Sequence, residues 1–167
     1  MTHPHPPIVA IIGKSKSGKT TLIEKLIAHF RQRGYRVATI KHHFHTDKTL
    51  DTPGKDTWRH AQAGAEQVVI ISPLTTVTFS YPPTPPTPQQ VAARLAGFDL
   101  ILAEGFSQAA LPAIEVLRAE RNAVPISDPA HRLALASDFQ LPGLHPVFDL
   151  NDVEGIAALI EQQVIGL

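Results

Sequence analysis

The chain has 167 residues and no cysteine. Disulfides, thiol catalysis and Cys-ligated zinc or iron–sulfur sites are therefore excluded. It has no surplus charge either, with Lys plus Arg and Asp plus Glu at 15 each. That balance gives no electrostatic reason to expect nucleic acid or an anionic membrane as partner. No apolar run approaches the ~20 residues of a membrane span. The opening Met1-Thr2-His3-Pro4-His5-Pro6-Pro7 has no basic stretch followed by a long apolar core, so it does not read as a secretory signal. The expected compartment is the cytoplasm. A hydrophobic content of 43% is ordinary for a globular protein, and the length fits one domain with a substantial core. Residues 1–167 are thus expected to form a single nucleotide-binding domain, with 1–7 flexible and 82–88 a connector.

What is present begins with Gly13-Lys14-Ser15-Lys16-Ser17-Gly18-Lys19-Thr20, a complete G-x-x-x-x-G-K-[ST] phosphate-binding loop. The apolar run Ile8–Ile12 leads in, and a helical pattern of Leu22, Ile23, Leu26, Ile27 and Phe30 leads out. Glycines at both ends free the backbone so that N–H groups converge on phosphate oxygens. The helix from Lys19 turns its positive end to the same anion. Lys19 reaches the outer phosphates and the Thr20 hydroxyl can ligate magnesium. The loop residues and Thr21 are the expected nucleotide contacts.

Further along, apolar runs alternate with helical patterns, which argues for a mostly parallel α/β sheet flanked by helices. Expected strands are Ile8–Ile12, Tyr35–Lys41, Gln67–Ser72, Phe98–Ala103, Ala113–Leu117, Arg132–Ala136 and Pro146–Leu150. Expected helices are Lys19–Arg33, Thr57–Ala65, Gln89–Ala96 and one from Val153, capped by Asn151 or Asp152. Leu74–Tyr81 alternates Val77, Phe79 and Tyr81 with Thr76, Thr78 and Ser80, the pattern of a strand covered on one face. With Gln67–Ser72 it can form a hairpin and give the sheet an antiparallel edge. Pro82–Pro88 reads as a stiff polyproline connector.

Ligands of open α/β sheets bind at carboxyl strand ends. Glu104 emerges there from Phe98–Ala103, whereas Asp99 enters at the opposite end; Glu104 is the expected metal-side carboxylate. Lys19 and Glu104 are the expected catalytic pair, and Thr20, Glu104 and Asp47 the expected magnesium set, with Asp51 as alternative to Asp47. His42 also starts at a carboxyl strand end and should face the phosphates. His42, His43 and His45 are chemically able to bind a transition metal, but adjacent strand residues point to opposite faces. Asp138, in the turn after Arg132–Ala136, can accept hydrogen bonds from a guanine edge or serve as a turn cap. An Asn-Lys-x-Asp motif is absent, so the residues alone leave GTP and ATP both open.

Taken in order, the loop with Thr21-Leu22, Lys41-His42, Asp51-x-Pro53-Gly54-Lys55-Asp56-Thr57, Ala63-Gly64-Ala65 and Glu104-Gly105-Phe106 resemble the molybdopterin-guanine dinucleotide biosynthesis adaptor family, MobB, over roughly residues 8 to 138. The family usually has Lys after Glu-Gly-Phe, and this chain has Ser107. The resemblance implies a P-loop fold that binds GTP with Mg2+ and hydrolyses it weakly. It also implies a homodimer that assists the molybdopterin guanylyltransferase joining GMP to molybdopterin. The hairpin near Leu74–Tyr81 is where dimer contacts are expected, since an open strand edge needs a partner. Two alternatives stand beside it. One is a nickel metallochaperone GTPase, suggested by nine histidines but lacking the usual Cys. The other is a small-molecule kinase, for which no dense Arg cluster is evident.

Overall fold

The computed structural model describes residues 5–43, 50–144 and 146–166. The chain groups into two compact units, Met1–His42 with Pro88–Leu167, and His43–Thr87.

The larger unit is built on a six-stranded, wholly parallel sheet. Its strands are β1 Ile8–Ile12, β2 Val37–Lys41, β5 Leu100–Glu104, β6 Ala113–Leu117, β7 Arg132–Ser137 and β8 Val147–Asp149, while β3 Gln67–Ile71 and β4 Thr76–Ser80 belong to the other unit. They lie in the order β2-β5-β1-β6-β7-β8. β1 is buried at all five residues, as a central parallel strand covered on both faces must be. Its alternation sorts the core. Val9 and Ile11 pack with Leu22, Leu26 and Phe30 of α1 (Lys19–Gln32) and with Ile156 and Ile160 of α4 (Val153–Ile160). Ile8, Ala10 and Ile12 pack on the other face with Ala92 of α3 (Pro88–Ala93) and Leu111.

Helix ends follow their local chemistry. Gly34 takes φ 88° just past α1, and Tyr35 N–H returns to Phe30 O at 3.1 Å. That closing turn makes the strand begin at Val37 rather than Tyr35. Asp152, one of the two expected caps, accepts from Gly155 N–H at 2.9 Å. α4 then widens into a π-helical turn, Glu161–Ile165. Among the described residues no helix is long and apolar enough to cross a membrane.

The smaller unit holds α2 Asp56–Gln62, β3 Gln67–Ile71 and β4 Thr76–Ser80. β3 and β4 form the expected hairpin, with Val68 opposite Phe79 and Ile70 opposite Val77. Its turn is closed by Ser72, whose N–H donates to Thr75 O at 2.9 Å. Two expectations change. The hairpin is a two-stranded sheet of its own, not an edge of the parallel sheet. Its alternating face is not fully covered, since Ile70 stays 40% exposed and Val77 38%. Period-2 alternation identifies residues that share a face, but it carries no information on what covers that face.

Candidate functional site

The carboxyl ends of β1, β2, β5, β6 and β7 converge on the 13–20 loop. Gly13 sits at φ 137°, and a Cβ there would lie 2.5 Å from Val116 O, so only glycine lets β1 turn this close to β6. Gly18 (φ 105°) and Lys16 (φ 61°) also take positive φ. A non-glycine residue in that region is strained, and such strain gathers at binding sites. Lys19 Nζ lies back over the loop, donating to Gly13 O at 3.0 Å and Lys14 O at 2.8 Å. Burial holds its pKa below the ordinary lysine value, and Lys41 adds to this while Glu104 opposes it. Ser17 is fully buried, and its Oγ has no hydrogen-bond partner. A partly desolvated ammonium lying over a loop whose backbone takes three positive φ angles is an arrangement of donors that an anion would complete.

Beside the loop, Glu104 ends β5 in register with Ile11 and Lys41. Its Oε2 accepts from Thr20 Oγ1 at 3.1 Å, and its Oε1 meets Lys41 Nζ at 3.1 Å. A hydroxyl and a carboxylate at this spacing are hard oxygen donors that suit magnesium, the phosphates and water supplying the rest. Among the described residues no group of three or more His, Asp or Glu side chains gathers as a metal site. The backbone beyond Glu104 takes two positive φ angles in succession, Gly105 at 86° and Phe106 at 61°. This turn lays the Phe106 ring on the His42 ring, with centroids 4.9 Å apart and planes at 20°. His42 N–H also donates to Glu104 O at 3.0 Å.

On the loop's other flank stands Arg118, at the end of β6. Its Nε donates to Ser17 O at 3.1 Å, and its Nη1 pairs with Asp138 at 3.5 Å. Asp138 also accepts from Ala119 N–H at 3.0 Å. With Ser137, Leu141, Leu144 and Phe148 it lines a cavity of about 370 Å³ at the ends of β7 and β8. Beneath, Glu115 is fully buried and accepts from Ser127 Oγ at 2.5 Å and from the Ile126 and Ser127 N–H groups at 2.8 and 2.9 Å. Three donors hold that carboxylate, and its role is to tie down the segment after β6.

The structure thus brings Lys19, Thr20 and Glu104 together, with His42 near Glu104 and Asp138 linked to the loop through Arg118. Lys14, Ser15, Lys16 and Thr21 are exposed around the loop. Asp47 and His45 lie outside the described residues. Asp51 belongs to the other unit. Asp99 sits where expected at the far end of β5, accepting from Arg36 N–H at 2.7 Å, Nε at 3.2 Å and Nη2 at 3.1 Å. Sequence reasoning missed Lys41 as the partner of Glu104 and Arg118 as the brace of the loop. The strand-end rule that found Glu104 also marks both positions.

Residues 8–138 match the family "Molybdopterin guanine dinucleotide synthesis protein B". The chain is 35% identical over 157 residues to a molybdopterin-guanine dinucleotide biosynthesis adapter protein of Haemophilus influenzae, covering 93% of this chain and 88% of that protein. It is 35% identical over 160 residues to the adapter protein of that name from Escherichia coli, covering 92% and 91%. Among solved structures, a molybdopterin-guanine biosynthesis protein B superposes with a TM-score of 0.68 at 30% identity, covering 93% of this chain and 98% of that one. The crystal structure of Bacillus subtilis MobB gives 0.71 at 26% identity, covering 96% and 99%.

Proposed function

The chain belongs to the molybdopterin guanine dinucleotide synthesis protein B family, and from that premise we propose that it is a GTP-binding adapter for guanylyl transfer to molybdopterin. The observation that carries the reading is the loop. The loop backbone takes positive φ at Gly13, Lys16 and Gly18, Lys19 is partly desolvated, and Thr20 and Glu104 share a hydrogen bond. Loop N–H groups and Lys19 would hold the triphosphate, and Thr20 with Glu104 would hold a magnesium ion, whose chemistry there would be to supply positive charge to the phosphate oxygens. Asp138, released from Arg118, accepts from the guanine edge, and His42 with Lys41 borders the phosphates. A cytoplasmic setting, where GTP is made, accompanies this reading.

Hydrolysis by such a site is weak for a physical reason. Phosphoryl transfer needs an oriented water and positive charge beyond the loop lysine. Lys41 is paired with Glu104, and Arg118 is tied through its Nε to the Ser17 carbonyl, so neither cation is free to follow developing charge. The protein therefore acts by presenting bound nucleotide to the guanylyltransferase. A homodimer fits the hairpin, whose Ile71 is 80% and Leu74 96% exposed. The test is association. The guanylyltransferase should co-purify with the chain when GTP and magnesium are present and largely fail to do so with ATP or with Lys19→Ala. Equal recovery in all arms would refute the nucleotide-dependent adapter.

A further inference from the structure

A phosphate loop grips an anion through its N–H groups, and it binds best when each peptide already faces the right way. The Ser17–Gly18 peptide is the last before α1. Gly18 caps that helix, so its N–H stands outside the helix's own hydrogen bonds. A planar trans peptide points its C=O and its N–H in opposite directions. Whatever holds the Ser17 carbonyl therefore aims the Gly18 N–H. That holder is Arg118, whose Nε donates to Ser17 O at 3.1 Å. A Cβ on Gly18 would lie 3.4 Å from Arg118 Nη2 and 3.8 Å from Nε, so the guanidinium packs closely against the glycine.

Arg118 is itself fixed at both ends. Its backbone begins a tight turn after β6. There the buried Asn122 donates its N–H to Arg118 O at 2.8 Å, and Asn122 Oδ1 accepts from Arg118 N–H at 3.4 Å. At the other end Nη1 meets Asp138 at 3.5 Å, and Asp138 is anchored by Ala119 N–H at 3.0 Å. We propose that Arg118 is a positioning residue for phosphate binding, which presets the Ser17–Gly18 peptide so that the Gly18 N–H meets the anion, and is not itself a phosphate ligand. This deepens the reading of the loop as the nucleotide site and rests on it. The Ser17 and Asp138 contacts use different nitrogens, so the first survives when Asp138 turns to a base. Lysine cannot take this part, being a single point charge on a flexible stem.

The probe is inorganic tripolyphosphate with magnesium, which carries no base, titrated into the full chain by calorimetry beside GTP. Arg118→Ala and Arg118→Lys should each weaken both ligands by about tenfold. Because Arg118→Ala can disturb the turn, Arg118→Lys is the deciding variant, with a denaturant midpoint to check its fold. In the unaltered protein the Gly18 amide proton should move downfield in the NMR spectrum when tripolyphosphate binds, as in a charge-assisted hydrogen bond. At saturation that shift should be smaller in Arg118→Lys, which a change in stability alone would not produce. Wild-type affinity in Arg118→Lys would overturn the proposal, leaving charge as the residue's only contribution. So would an unmoved Gly18 amide in the unaltered protein, or a loss confined to GTP, which would assign Arg118 to the base. If the unaltered chain binds neither ligand, the nucleotide reading itself fails and takes this proposal with it. If chain and variants bind both equally, only the proposal fails.

Discussion

The two units of this chain solve the burial problem differently. Among the described residues, nearly all buried apolar side chains belong to the larger unit, and Val68 is the one from 43–87. Conversely Leu50, Val69, Ile70, Ile71, Leu74, Val77 and Tyr81, all in 43–87, are exposed large hydrophobics. The larger unit has two core layers and completes its own phosphate loop. The smaller one is a short helix and a hairpin, and a lone hairpin is marginal in water. The contrast teaches that the parallel sheet is the platform on which the phosphate loop is built. The 43–87 unit keeps most of its large apolar side chains at the surface.

The sharpest way to break that contrast is to strike the platform where it tolerates nothing. In Gly13→Ala the new Cβ would lie 2.5 Å from Val116 O at a φ of 137°. Unfolding free energy should fall by about 2–4 kcal/mol, read as a lower midpoint in a denaturant titration. A wild-type midpoint would show that the loop backbone is not tightly determined.

Next in size is Lys19→Ala. It should weaken triphosphate binding by about 2–3 kcal/mol, roughly 30- to 150-fold, while stability stays nearly constant. Calorimetry and a thermal melt on one sample read both. Burial lowers the Lys19 pKa in the free protein, whereas an adjacent triphosphate favours the charged form. Binding should therefore take up protons in an alkaline window between the lowered value and the ordinary lysine value of about 10.4.

In the smaller unit, Ile71→Asp and Leu74→Asp should change the unfolding free energy by less than about 0.5 kcal/mol, as surface substitutions do. They should nonetheless weaken self-association, measured by sedimentation. A large loss of stability with no change in association would mean that these side chains are part of a folded core after all.

The smallest effect is expected at the edge remote from the loop. Hydrogen bonds from the Arg36 side chain, then its backbone N–H, hold the Asp99 carboxyl below the usual carboxylate range. The unfolded chain binds that proton more readily. The contribution is therefore complete above the ordinary value of about 3.9, and is lost as pH falls through the lower folded value. Asp99→Asn should flatten this acid limb slightly and leave GTP binding unchanged. Altered GTP affinity would contradict the separation of the two strand ends.

How much of this was legible beforehand depended on distance along the chain. β1, the loop and α1 are one contiguous stretch whose glycines and periodicity are local, and they fold as read. Glu104 was found because strand ends obey a general rule. Arg118 follows a strand end as Glu104 does, but what it braces was not legible, because its partner Ser17 is 101 positions away. The hairpin was legible as a hairpin, with Val77 and Phe79 on one face, but its separation from the main sheet was not, because alternation does not specify a neighbour. The boundaries moved where a turn took residues from a strand, as at Tyr35 and Leu74.

The central claim is that the phosphate loop of the larger unit serves guanylyl transfer. Its most direct test is the yield of molybdopterin guanine dinucleotide from the guanylyltransferase, GTP, magnesium and molybdopterin, with and without the chain. Wild-type protein should raise the yield, Ile71→Asp should raise it less, and Lys19→Ala should return it to the level of the transferase alone. A Lys19→Ala protein that raises the yield as well as wild type would contradict the account.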